Sequence, residues 1–320
     1  MTHSAISIII ATRNREAILW ESVSKAVMAI TGKNAEIIIV NDGDKALVPP
    51  AEYEERLQCF DNPSRGVSSA RNFGAARAKG ELLFFIDDDM WINPEVLDWI
   101  HLHMADENSY TSVFNINWEY PPVLSQKLRH SKVGKYLLNA NYNCMWGRMH
   151  QHGEQPVWGL YLYHSIASCS LIMTKAIFSK LGGYNEQLIF QGEDIDLSNR
   201  LGFLSVPIFA VFDITLFHNH QDRLDIAGFL ARLGNGYSSE FQAVKAGVIK
   251  PLSNRAYVGS ARKLFDFFYA TEAGWMFLYN SIPTNRLFTP ITNKLVGLLA
   301  GLARYKEWKK VFCNEKHTII

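Results

Sequence analysis

Glu81-Leu-Leu-Phe-Phe-Ile-Asp-Asp-Asp89 is the stretch that decides the fold. Five apolar residues, Leu82 to Ile86, run without a turn residue into three consecutive carboxylates. An unbroken apolar run of this length suits a strand covered on both faces. Asp87, Asp88 and Asp89 then stand where that strand leaves the sheet. Three adjacent negative charges at the edge of a core repel one another and are costly unless cations or polar groups compensate them. If the backbone stays extended, Asp87 and Asp89 point one way and Asp88 the other. Two carboxylates converging on one spot hold a hard divalent cation, with water and phosphate oxygens completing its shell. The plainer reading is a solvated acidic turn, and the flanking sequence argues against it.

Upstream, Ala5-Ile-Ser-Ile-Ile-Ile10 reads as a first buried strand that ends in the polar loop Ala11-Thr-Arg-Asn-Arg15. Leu19, Val23, Ala26, Val27 and Ile30 follow at helical spacing, stopped by Gly32. Glu36-Ile-Ile-Ile-Val40 is a second strand running into Asn41-Asp-Gly43. Strand, helix, strand with continuous apolar runs predicts a parallel sheet covered by helices. Ligands of such sheets bind beyond the carboxyl ends of the strands. Thr12 to Arg15, Asp42 and Asp87 to Asp89 all fall there. Residues 44–60 read as a polar connector. Beyond them, Gly66 permits a turn, Ser68 or Ser69 can cap, and the small residues from Ala70 to Ala78 suit a helix close against the sheet, ended by Gly80. Arg71 and Asn72 near its start are placed to meet an anion, helped by backbone N–H groups. The competing reading makes Arg71 and Arg77 surface charges.

Downstream, Asn93 caps a helix with Pro94 at its first position, and a strand spans Tyr110 to Tyr120. Residues 123–165 have no clean period. Their aromatic segment around Trp146, with Trp158, suits an acceptor wall or lid, and His150 and His152 read as loop residues rather than ligands. Ser168 to Met173 resembles a strand, and a short helix runs from Thr174 to Gly182. Another spans Gly192 to Gly202, on which Asp196 and Arg200 pair and Asp194 is left as the freer carboxylate. Phe209 to Phe212 is a further apolar run, followed by Phe217-His-Asn-His220. Helical pieces then cover Leu224–Leu233, Tyr237–Ala246 and Ala261–Tyr279. Leu295 to Ala303 precedes Arg304, Lys306, Lys309 and Lys310. That junction either seats the chain peripherally on an anionic membrane surface or is a packed helix with a charged tail. The packed helix is favoured.

A chain of 320 residues holds one large α/β domain with an extension, or two modest domains. A formal charge of +1 gives no reason to expect a nucleic-acid partner. Four scattered cysteines without a CxxC predict reduced thiols in a cytosolic chain. No signal peptide is read at the start, and no apolar run of about 18 residues predicts a membrane span.

Taken together, Ile10-Ala-Thr-Arg-Asn14, Val40-Asn-Asp-Gly43, Gly66-Val-Ser-Ser-Ala-Arg-Asn-Phe-Gly74, Leu83-Phe-Phe-Ile-Asp-Asp-Asp89 and Gly192-Glu-Asp194 resemble, in order and spacing, the inverting glycosyltransferases of family 2. The resemblance implies the GT-A fold, a mostly parallel central sheet flanked by helices. It implies residues 1–222 as the catalytic domain, split into a nucleotide-sugar half (1–115) and an acceptor half (116–222), with 223–320 as a helical extension. By the same resemblance, Thr12 and Asp42 hold the nucleobase, expected to be uracil, with Arg13 and Asn14 in the same loop. Arg71 lies near the nucleotide, Asp87 contacts the ribose side or the metal, Asp88 belongs to the donor-binding set, and Asp89 binds the metal. Asp194 is the general base. His218 or His220 completes the Mn²⁺ or Mg²⁺ site, with His218 preferred. The implied partners are a UDP-linked donor and a carbohydrate or lipid-linked carbohydrate acceptor, in the cytoplasm or at the membrane's cytoplasmic face. No Gln-x-x-Arg-Trp follows Asp194, which favours transfer of a single sugar over processive synthesis. The rivals are a sugar-phosphate nucleotidyltransferase, which would carry a glycine-rich loop after the first strand, and a non-catalytic sugar-binding or scaffold protein.

Overall fold

The computed structural model describes residues 5–104, 111–140, 144–145, 159–189, 192–221, 225–249, 257 and 259–313. Its elements in chain order are β1 (Ile6–Thr12), α1 (Glu16–Ile30), β2 (Ala35–Asn41), β3 (Gln58–Asp61), α2 (Val67–Arg77), β4 (Leu82–Asp87), β5 (Met90–Trp91), α3 (Pro94–His103), β6 (Val113–Glu119), α4 (Pro122–Leu128) and α5 (Lys132–Asn139). There follow β7 (Leu160–Tyr163), β8 (Ser170–Thr174), α6 (Lys175–Leu181), α7 (Glu193–Phe203), β9 (Ile208–His218), α8 (Ile226–Lys245), α9 (Gly259–Ala270), α10 (Glu272–Ser281) and α11 (Thr289–Cys313). They group into two units, one of residues 1–120, 144–146 and 152–219, the other of residues 121–143, 147–151 and 220–320. Trp146, Trp158, His150 and His152 lie outside the described residues.

The first unit is built on a sheet of order β3-β2-β1-β4-β8-β6-β9-β5, with β7 against β9. Its first four strands are parallel; β8 then enters antiparallel between β4 and β6. Every residue from Leu82 to Ile86 is buried, as a strand covered on both faces requires. Register brings the carboxyl ends level: Thr12 lies opposite Asn41, Asn41 opposite Asp61, and Ala11 opposite Asp87. The polar residues that follow these apolar strands therefore collect at one edge of the sheet.

Residues 44–60, read as connector, contain the start of β3. Three consecutive half-buried residues, Gln58, Cys59 and Phe60, give no alternation to detect, yet the strand carries Asp61 and Asn62 to the same edge as Asp42. Helix α2 lies as close to the sheet as its small residues suggest. A Cβ on Gly74 would come within 2.6 Å of Ile9 Cγ2 and 3.3 Å of Val40 Cγ2. Gly74→Ala is expected to lower stability by about 1–3 kcal/mol through overpacking despite its better helix propensity; a shifted urea midpoint at unchanged slope would register it.

Ser68 and Ser69 do not cap α2. Gly66 is its N-cap at φ 109°, while Ser68 Oγ donates to the Leu188 carbonyl and Ser69 Oγ to Asn62 Oδ1. Helix α2 ends with Ala78 as its C-cap, two residues before the expected Gly80, whereas three other caps follow the sequence. Asn93 and Thr174 accept from Val96 N and Ile177 N, and Gly182 ends α6 in the left-handed region.

The second unit is helical. Tyr237–Ala246 is continuous with the preceding piece in α8, whereas Thr271 divides the segment expected as one helix into α9 and α10. Helices α4 and α5 arise where no period was legible. Ser131 caps α5, and Gly134 is required there because a Cβ would overlap the Leu128 carbonyl. Leu295, Val296, Leu299 and Leu302 of α11 are buried, so this apolar run is a packed helix. Among the described residues no helix is long and apolar enough to cross a membrane, and none of the four cysteines is in a disulfide.

Candidate active site

The strand ends at Asp87, and Asp88 and Asp89 form a turn. The extended geometry that would point Asp87 and Asp89 the same way is therefore not adopted. Asp87 turns to Arg71, whose Nη2 donates to its Oδ1 at 2.9 Å. Arg15 forks across the other two, Nη1 to Asp88 Oδ1 at 2.6 Å and Nη2 to Asp89 Oδ2 at 2.9 Å. Thr12 Oγ1 adds a hydrogen bond to Asp88 Oδ2 at 2.8 Å. The repulsion expected of three adjacent carboxylates is thus relieved by two guanidiniums. Asp88 is buried, and that burial pushes its carboxyl above the usual range; Arg15 opposes the shift and Asp89 reinforces it.

Asp89 is almost fully buried. Its Oδ1 lies 2.9 Å from His218 Nε2, and its carbonyl accepts from Asn219 N at 2.8 Å. Strand β9 delivers His218 by pairing Met90 with His218 and Trp91 with Phe217. The ring of His218 stands edge-on to Trp118 at 4.9 Å. Asp89, His218 and His220 offer ligand atoms that all lie within 4.8 Å of one another. One carboxylate oxygen and two imidazole nitrogens at that spacing fit a divalent transition metal, and suit Mn²⁺ better than Mg²⁺, which takes an all-oxygen shell. The two histidines are brought to the same place, so the geometry does not make them alternatives. Asp87 lies outside this group.

Asp42 sits at the end of β2. Its Oδ1 accepts from Gly66 N at 2.9 Å and Asn62 Nδ2 at 2.8 Å, and Arg13 Nη1 stands 3.9 Å from its Oδ2. The start of α2 therefore faces an internal carboxylate, and Val67 N is taken by the Ile189 carbonyl. Asn14, at φ 54°, exchanges hydrogen bonds with Asp44. These loops form an open cavity of about 240 Å³ lined in part by Asp42, Gly43, Asp44, Asp61, Asn62 and Arg65.

Arg71 is buried rather than presented to solvent. It joins Asp87 to Glu193, Nη1 to Oε1 at 3.0 Å, and stacks over the Tyr184 ring at 5.3 Å. Burial works against its charge, yet Tyr184 and the carboxylates of Asp87, Glu193 and Asp194 hold its proton more firmly than usual. Asp194 is the neighbour of Glu193 at the start of α7. It is not free: its Oδ1 accepts from Ser168 N at 3.0 Å and from the Ser168 hydroxyl, which itself accepts from Tyr184 Oη at 3.0 Å. Burial raises the Asp194 carboxyl, opposed by Arg71 and the Ser168 bonds. Burial and the Asp194 charge raise Glu193. Asp196 pairs with Arg200, Nε to Oδ2 at 2.9 Å, as its spacing predicted.

Asn72, expected to meet an anion, instead donates to the Tyr184 carbonyl and to Glu186 Oε1. Three struts of the site escaped the sequence reading. Arg15, Glu193 and the Ser168–Tyr184 pair carry no signal of spacing. Arg15 was legible only as a member of the polar loop after β1, and Glu193 only as the first half of an acidic pair.

A parallel strand-helix half that ends in an acidic turn, continued by a mixed part in which β8 runs antiparallel to β4 and β6 while β9 runs parallel to β6, defines a GT-A-like α/β fold; that second part supplies another acidic pair and a histidine. Comparison with known proteins agrees. The family described as "Glycosyl transferase family 2" matches residues 7–179, more than half of the chain, and the chain belongs to that family. It is 31% identical over 112 residues to a putative glycosyltransferase, EpsH, of Bacillus subtilis, covering 33% of this chain and 32% of the relative. It is 34% identical over 215 residues to an uncharacterized glycosyltransferase of Haemophilus influenzae, covering 65% of each. The chain thus spans about a third of the length of the first relative and about two thirds of the second. Among solved structures, the mannosyltransferase PcManGT from Pyrobaculum calidifontis, in complex with GDP-Man and Mn²⁺, superposes with a TM-score of 0.57 over 98% of this chain and 88% of its own, at 14% identity.

Proposed function

We propose that the chain is an inverting glycosyltransferase that moves one sugar from a nucleoside diphosphate sugar, uridine-linked, to an acceptor hydroxyl with divalent-metal assistance. The observation that carries this reading is the joining, at one sheet edge, of the Asp87–Asp89 turn to Asp194 through Arg71 and Glu193. Residues 1–115 are assigned to the donor and 116–222 to the acceptor, with 223–320 a helical extension; residues 121–143 group with those helices. Asp42 lines the cavity beyond β2, and Thr12, Arg13 and Asn14 are assigned to the base from the loop after β1; the cavity is smaller than the ~300–1,000 Å³ typical of whole-ligand sites and suits the base alone. Asp87 is assigned to the ribose side or the metal, and Asp88 to the donor-binding set. Asp89, His218 and His220 would hold the metal, whose charge offsets that developing on the leaving diphosphate.

Asp194 takes the acceptor O–H proton. The acceptor oxygen then bonds to the anomeric carbon as the bond from that carbon to the diphosphate oxygen breaks, and attack from the face opposite the leaving group inverts the centre. A carboxyl raised by burial is a stronger base than an ordinary one, which suits it to a hydroxyl. Ser168 fixes the Asp194 carboxylate, and Tyr184 orients Ser168.

The test is donor binding across a panel of nucleotide sugars, with Mn²⁺, with Mg²⁺ and without metal, for the wild type and Asp89→Ala. One uridine-linked donor is expected to bind with Mn²⁺, more weakly with Mg²⁺, and not to the variant. Preference for a guanosine-linked donor, as in the complex of PcManGT, would overturn the uridine assignment and leave the transfer chemistry standing. A folded protein that binds no donor under any metal condition would sink the whole reading.

A further inference from the structure

Single exposed apolar side chains are ordinary, whereas a cluster of them marks an interaction surface. In the second unit Leu264, Phe267, Phe277, Leu278, Leu287 and Ile291 are all exposed within one short stretch of chain, Phe277 at 74% and Leu287 at 85%. Helix α9 has no buried residue and α10 buries only Tyr279. On α9, Leu264 and Phe267 are three apart and share a face, with Lys263 four before Phe267. On α11, Ile291 and Lys294 are likewise three apart. Cation and hydrophobe therefore stand side by side at both ends of the stretch.

The charges have one sign. Between residues 259 and 294 every exposed charged side chain is a cation: Arg262, Lys263, Arg286 and Lys294. The two acids there, Asp266 and Glu272, are half-buried, and Asp266 is held by Lys309 at 2.7 Å and by the Tyr305 hydroxyl at 2.8 Å. Among the described residues Lys263, Arg286 and Lys294 enter no ion pair. We propose that α9, α10 and the turn into α11 form a docking surface for an anionic lipid bilayer, lying on it with Phe267, Phe277 and Leu287 inserted and the four cations among the headgroups. Apolar area beside cations, three of them in no ion pair, is what an interfacial element needs, and among the described residues no helix is suited to crossing. A second copy of the chain is a poorer occupant, because a two-fold interface would set these cations against themselves. The surface is separate from the buried run of α11 that precedes the basic tail.

The test uses the full chain in co-sedimentation with phosphatidylcholine vesicles, with and without phosphatidylglycerol, and needs no donor or metal. Binding is expected to the phosphatidylglycerol vesicles and to weaken with salt. Lys263→Glu and Arg286→Glu should each lower the partition coefficient by at least about fivefold, the factor for one basic residue near an anionic surface. Phe267→Ser with Phe277→Ser should lower it further, with an unchanged thermal melt because both side chains are exposed. No sedimentation with either vesicle at low salt, or equal sedimentation with both, would overturn the proposal. So would surface variants that alter only the mass seen by sedimentation equilibrium, since a second copy would then be the occupant.

Discussion

Asp194→Asn is expected to lower kcat by about 10²–10⁴-fold, the span that general bases contribute, with little change in donor binding. The amide is isosteric and its oxygen can still accept from Ser168 N, so the start of α7 should hold its place. What is lost is the proton acceptor. A pH profile separates this from a structural defect. Asp194 must be ionised to accept a proton, and burial raises its carboxyl, so the acid limb of kcat/KM in the wild type should fall off above the ordinary carboxylate range as pH drops. That limb should be absent from the variant's residual activity. A variant that turns over at the wild-type rate, or that loses donor affinity in step with rate, would remove Asp194 from the role of base.

Arg71→Met should cost stability rather than only activity. The guanidinium is the shared counter-charge of Asp87 and Glu193, and removing one partner of a buried pair leaves the others uncompensated. The loss should be about 3 kcal/mol, the lower end for such a break, because the Asp87 side chain is 33% exposed and water screens it. The deficit should shrink as pH falls. Burial and Asp194 already raise Glu193, and without Arg71 its folded carboxyl is raised further above its unfolded value, so protonation removes an unpaired charge from the folded state first. Arg71→Lys keeps the charge but cannot fork to both acids and should fall between. Urea unfolding at two pH values measures all three. An Arg71→Met protein as stable as the wild type would show that the carboxylates are solvated and that the strut is incidental.

Sequence alone determined the strands and their common end. Runs such as Ile6–Ile10, Ile37–Val40 and Leu82–Ile86 have no polar face, so they can only be buried centrally, and the polar residues that end them fall at one edge whatever else the chain does. The small residues of α2 and the caps at Asn93 and Thr174 were legible for the same reason, since each is a local requirement. Tertiary structure decided which charge meets which. Arg71 reaches Glu193 across 122 residues, Arg15 reaches Asp89 across 74, and His218 reaches Asp89 across 129. No periodicity encodes such separations. At the turn that follows Asp87, Arg71 takes Asp87 while Arg15 takes Asp88 and Asp89. The Asp194 carboxylate, the least paired on its own helix, is fixed by Ser168 just before β8, because a buried acid must find donors wherever the fold brings them.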